Sequence, residues 1–112
     1  MDKVFHALAH DVRREILDYV VANPGCSAGE IAEQFTISRI AVRKHIKLLN
    51  EAQLLVLEKS GRHCFHYFNA IPIQMIYDRW TNQYSQFFAS KLNAFKFQIE
   101  SDATEDPHEK TA

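Results

Sequence analysis

At 112 residues, with 46% hydrophobic content and a formal charge of −1, the chain is sized for one compact domain rather than two. No run approaches the roughly 18 apolar residues of a membrane span, and charged Asp2 and Lys3 follow Met1 with no apolar signal core behind them. Membrane insertion and secretion are therefore not expected, and the cytoplasm is the expected compartment.

In chain order, Val4, Phe5 and Leu8 form a first short apolar stretch. Asp11 can then cap a helix on which Val12, Ile16 and Tyr19 recur at helical intervals, and Asn23-Pro24-Gly25 supplies its stop. Arg13 and Arg14 lie among Asp11, Glu15 and Asp18, so surface ion pairs are expected of them. Ser27 followed three residues later by Glu30 is a capping-box signature and predicts a helix start near Ala28, with Ile31, Ala32 and Phe35 as its apolar positions. The polar segment 36–38 interrupts that pattern before Ser38 caps a second helix.

In this second helix Val42, Ile46 and Leu49 form one inward stripe, which turns Ile40, Arg43, Lys44 and Lys47 the other way. Two helices around a short turn, the second basic on its outer face, are the pattern of a helix-turn-helix DNA reader. Arg and Lys suit guanine edges or phosphates, and Ile40 suits a thymine methyl. Two β-rich runs follow on either side of Lys59-Ser60-Gly61-Arg62, where Gly61 can adopt the positive φ of a tight hairpin. This wing (55–68) carries Lys59 and Arg62 at its tip, within reach of phosphates or a minor groove. From 38 to 66 six cations face two anions, whereas residues 1–37 hold three cations and six anions. Basicity confined to one stretch of an otherwise acidic chain is the footprint of a protein that meets DNA with one surface.

Pro72 favours a further helix start. Ile73, Ile76, Tyr77, Trp80, Tyr84, Phe87, Phe88, Leu92 and Phe95 then recur at three- and four-residue steps, which predicts one long amphipathic helix. About 35 Å of such a helix is too long for a small domain to cover. A second copy is the expected partner, through Val4, Phe5, Leu8, Ile76, Tyr77, Trp80, Tyr84, Phe87, Phe88, Leu92 and Phe95, with two recognition helices about 34 Å apart on a palindrome. The domain is expected to span 1–100. Residues 101–112 carry four anions and no apolar residue but alanine, and are expected to be a disordered acidic tail.

The segment 5–17, FHALAHDVRREIL, followed by SRIAVRKHIKLL and the Gly61-Arg62 wing with Tyr67 behind it, resembles the ArsR (arsenic-repressor-type) family of bacterial winged helix-turn-helix regulators over roughly 4–92. The resemblance implies a homodimer that binds a palindromic operator and blocks transcription until a signal releases it. Thiol-sensing members resemble one another in a Cys-x-Cys pair on the first helix of the motif. Ser27 and Gly29 stand at those positions here, with Cys26 one residue early. Other members carry Asp and His ligands along the dimer helix, but 73–99 contains Asp78 and no histidine. The chain is thus similar to the subgroup without the usual metal sites, whose members often repress themselves or neighbouring genes.

Cys64 and His66 share a strand face and make half of a zinc site, while nothing in the sequence places His6, His10 or His45 beside them. A disulfide between Cys26 and Cys64 needs a proximity that sequence does not set. No metal or cofactor is expected, and no residue pattern specifies an inducer. With three glycines, no phosphate-cradling loop and no G-x-S-x-G nucleophile motif, an enzyme is not expected either. The fold expected is mainly α with a small β-hairpin, a winged helix-turn-helix with a long C-terminal dimerisation helix. The alternative function is a winged-helix module for protein contact, and less favoured is a metal- or thiol-sensing repressor using Cys26, Cys64 or His66.

Overall fold

Both serine caps form in the computed structural model, which describes residues 1–82 and 85–105. Ser27 Oγ accepts from Glu30 N at 3.1 Å and Glu30 Oε1 accepts from Ser27 N at 3.4 Å, closing the capping box. Ser38 Oγ accepts from Ala41 N at 3.1 Å. The helices they start, α3 (Ala28–Ala32) and α4 (Arg39–Glu51), follow α1 (Asp2–Leu8) and α2 (Asp11–Ala22). Strands β1 (Leu55–Ser60) and β2 (His63–Phe68) come next, then α5 (Ile71–Thr81) and α6 (Ser85–Glu105). The chain divides after Ile76.

In residues 1–76 the inward stripe of α4, Val42, Ile46 and Leu49, joins Ile16, Leu17 and Val20 of α2, Ile31 and Ala32 of α3, and Val4 and Ala7 of α1 in a single core. Gln53, at φ 61°, ends α4: Leu54 N donates to Leu49 O at 3.0 Å and Gln53 N to Asn50 O at 2.9 Å. This is a Schellman stop without its usual glycine. It reverses the chain so that Leu54 and Leu55 enter the core as β1 begins.

The hairpin pairs Leu55 with Phe68 and Ser60 with His63, leaving Gly61 and Arg62 as a two-residue turn. Gly61 takes φ 61° at the first turn position, the conformation a type II′ hairpin requires. A third, one-residue strand was not foreseen. Cys26 bridges His66, with Gly25 N donating to His66 O at 2.8 Å and His66 N to Cys26 O at 2.9 Å. The loop between α2 and α3 is thereby stitched to the wing. Gly25, at φ 83°, is needed there, since a side chain would also meet Tyr67 Oη at 3.3 Å.

Several expectations are corrected. The cap of α2 is His10 rather than Asp11: Val12 N donates to His10 Nδ1 at 3.1 Å, and Asp11, inside the first turn, shares the same donor at 2.8 Å. Arg13 and Arg14 make no surface ion pairs with Asp11, Glu15 or Asp18. Arg13 is 6% exposed and donates from Nε to Ala7 O at 2.8 Å and from Nη2 to His6 O at 2.9 Å, while Arg14 Nη1 donates to Leu8 O at 2.7 Å. Carbonyls at a helix C-terminus lack intrahelical partners and carry partial negative charge, so two guanidiniums from α2 finish α1.

The helix expected over 73–99 is described as α5, ending at Thr81, and α6, starting at Ser85, and 83–84 between them lie outside the described residues. At the other end α6 runs to Glu105, because extending an existing helix fixes only one residue per bond gained. The first five residues of the expected tail are therefore helical, and 106–112 lie outside the described residues.

Arg13→Met should leave Ala7 O without its donor, His6 O with only Ala9 N, and His45 Nδ1 unpaired, and lower stability by about 2–4 kcal/mol. Arg13→Lys should recover only part, since an ammonium cannot reproduce the fork. Urea unfolding of the three proteins checks this.

Candidate nucleic-acid interface

Burial on α4 is divided as the spacing predicts. Val42, Ile46 and Leu49 are buried, and Arg39, Ile40, Arg43, Lys44 and Lys47 are exposed. None of these four cations has a carboxylate within ion-pairing distance among the described residues. The one acid on α4, Glu51, is its last residue. Arg39 leans back over α3, its Nη1 4.0 Å from where a Cβ on Gly29 would stand. Ser38 uses its oxygen as the cap, which leaves its hydroxyl proton free to donate outward. In the wing, Lys59 is exposed opposite Cys64, and Arg62 is exposed in the turn.

Behind α4 the third donor of Arg13, Nη1, lies 3.1 Å from Nδ1 of His45. A guanidinium can only donate, so His45 is the acceptor and is neutral with its proton on Nε2. Burial, then the neighbouring His10 and Arg13, hold the His45 pKa below the ordinary histidine value, with Asp11 opposing. The His10 and His45 rings are 4.6 Å apart. His45 is thus a strut between α2 and α4.

His66, 3% exposed, has an Nδ1 without a hydrogen-bond partner, and burial pushes its pKa down. Sequence reasoning set His66 on one strand face with Cys64 and His45 on the flank of α4, but it gave neither the burial of His66 nor the contact of His45 with Arg13.

The cysteines are apart in role. Cys26 is buried opposite His66, and burial, followed by Glu30, pushes its thiol pKa up, away from the thiolate that metals and oxidants require. Cys64 is exposed, opposite Lys59. Among the described residues no three His, Cys, Asp or Glu side chains are grouped to hold a metal.

Of the residues expected at a dimer contact, Val4 is 8% exposed and belongs to the chain's own core, with Leu8 and Ile76 packed against it. Phe5, Tyr77, Trp80, Leu92 and Phe95 are exposed, as are Ile71, Met75, Phe97 and Ile99, which the sequence reading did not assign to that contact. The Arg79 guanidinium lies 5.5 Å from the Trp80 ring centroid. Tyr84 and the side chains of Phe87 and Phe88 lie outside the described residues.

A capped basic helix after a short helix and turn, followed at once by a stitched two-stranded hairpin, places the protein in the winged helix-turn-helix class. Comparison with known proteins agrees. A family described as a helix-turn-helix domain matches residues 8–58. The transcriptional repressor SdpR of Bacillus subtilis is 31% identical over 74 residues, 66% of this chain and 81% of that protein. The HTH-type transcriptional regulator Rv2034 of Mycobacterium tuberculosis is 35% identical over 60 residues, and the chain spans only 55% of its length. Among solved structures, an ArsR-like transcriptional regulator from Rhodococcus sp. RHA1 superposes with a TM-score of 0.65 at 27% identity, over 89% of this chain and 90% of that one. The chain belongs to the ArsR-type family of winged helix-turn-helix regulators, and it is a DNA-binding transcriptional regulator of that type. No helix among the described residues is long and apolar enough to cross a membrane.

Both shifted histidines have folded pKa values below the unfolded value of about 6.5. As pH falls through that value the unfolded chain takes up protons that the folded chain refuses, so stability is fully present above it and declines below it. The urea midpoint should therefore drop between pH 7.5 and 5. His66→Phe, which keeps a ring in the cavity without a titrating nitrogen, should make that drop shallower.

Proposed function

We propose that the protein is a homodimeric repressor that binds a palindromic operator. In this reading Ser38, Arg39, Ile40, Arg43, Lys44 and Lys47 lie at the major groove, with Lys59 and Arg62 of the wing on the flanking backbone or minor groove. The observation that carries it is the outer face of α4, whose cations have no acidic partner among the described residues. Unpaired positive charge beside exposed isoleucine suits a surface that offers phosphates and base edges together.

The apolar residues exposed along α5 and α6 support the dimer. Ile71, Met75, Tyr77 and Trp80 leave α5 apolar on several sides with none of its residues buried. A helix with this much exposed apolar surface gains stability when it is covered. In residues 1–76, a groove of about 380 Å³ is lined by apolar Met1, Val4, Ile71, Pro72 and Met75 together with polar Lys3, Glu51, Gln53 and Asn69. Burying such a face against a second copy sets two recognition helices on one side of a duplex at about 34 Å. Repression is supported by the Bacillus subtilis relative, named a repressor. The protein acts in the cytoplasm, without catalysis and without a resident metal or cofactor.

Anisotropy titration against DNA from the protein's own promoter and a scrambled duplex, at two salt concentrations and with and without chelator, tests this reading. Sequence-preferring binding that survives the chelator is expected, with a dimer in sedimentation. Arg43→Ala should cost about 1–3 kcal/mol and relax specificity. Arg62→Ala should weaken all duplexes alike and flatten the salt dependence. Equal losses from both on every sequence would remove base readout by Arg43.

A further inference from the structure

Ile40 differs from its neighbours on α4 in having no task in the fold. It is 69% exposed and lies outside the core cluster. Ser38 already caps the helix, and a β-branched residue in the first turn is a poorer helix former than alanine. Ile37 is a useful contrast. It is 39% exposed and directly precedes the cap, the position from which an apolar side chain packs back on the fourth helical residue, here the buried Val42. Ile37 thus holds the position of a hydrophobic staple, and Ile40 does not.

Ile40 is also an apolar group set among cations. Arg43 and Lys44 follow it at three and four residues, on the same helical face, and Arg39 leans away toward α3. A purely apolar partner would leave those charges unmatched, and a purely anionic one would leave the isoleucine against polar oxygens. The major groove offers both. Its base edges display one apolar group, the C5 methyl of thymine, with phosphates on either side. Ile40 stands in the first turn, where a recognition helix presents its base-reading residues.

Resting on the operator-binding reading above, we propose that Ile40 reads the 5-methyl group of a thymine in each operator half-site. This makes Ile40 a specificity residue that works by apolar burial, beside cations that work by charge.

The test begins with duplexes enriched from a random library by the purified full-length chain. Each thymine of the best duplex is then replaced by deoxyuridine, in both half-sites at once, which removes the methyl group and keeps every hydrogen-bonding atom. One symmetric position should lose about fourfold per half-site, or about fifteenfold in the duplex. Ile40→Ala should bind the thymine and uracil duplexes equally while unfolding at the same urea concentration as the parent, or slightly higher. Ile37→Ala should unfold earlier and keep the thymine preference. Enriched duplexes insensitive to uracil at every position, or a thymine preference that persists in Ile40→Ala, would overturn the methyl contact and leave operator binding standing. Failure of any sequence to enrich would overturn operator binding itself, and the methyl contact with it.

Discussion

Arg13 carries a charge that cannot be neutralised at any physiological pH, so its burial is tolerable only if its donors find acceptors. They find two carbonyls at the end of α1 and one imidazole nitrogen on α4. The guanidinium fork is planar and rigid, and from α2 it holds the end of α1 with two contacts and α4 with the third. Helix α4 is therefore set in rotation as well as position. Its apolar stripe alone would tolerate some slippage about the helix axis, whereas a hydrogen bond to His45 Nδ1 does not. Which residues of α4 face outward is in this sense decided from the inside.

Charge is distributed to the same end. Anions concentrate in residues 1–37 and cations on α4 and the wing, although the chain is nearly neutral in total. Arg13 and Arg14, two of the three early cations, are consumed as helix caps. Arg13 is buried and Arg14 stays exposed, so three cations still face six anions over residues 1–37. On the proposed operator-binding reading, this uneven charge favours the encounter geometry in which α4 leads.

What was legible in the sequence was local. The Ser27 and Ser38 caps, the stripe of Val42, Ile46 and Leu49, and the turn at Gly61 each depend on residues within one or two turns of one another, and each appears where the spacing put it. What was missed depends on chain neighbours brought together by folding. The acids around Arg13 suggested ion pairs, but its acceptors are backbone carbonyls, which have no signature in sequence. The bridge between Cys26 and His66 joins residues forty positions apart. Of the candidate site, the exposed cations of α4 and the wing were readable, and the His45 strut behind them was not.

The tip of the wing is governed by backbone geometry alone. Gly61 needs its left-handed conformation, yet nothing lies within 4 Å of where a side chain would begin. The stitch at His66, by contrast, lies near the hairpin's base. The outer rungs are thus a free-standing lever, anchored at one end and unconstrained at the other. Adding residues in pairs on both strands would preserve the in-out alternation and lengthen the lever by about 3.4 Å per residue without disturbing the core. The hairpin is in that respect the most evolvable part of the molecule. On the proposed operator-binding reading, a longer hairpin would span more flanking DNA without altering the helical framework that sets α4.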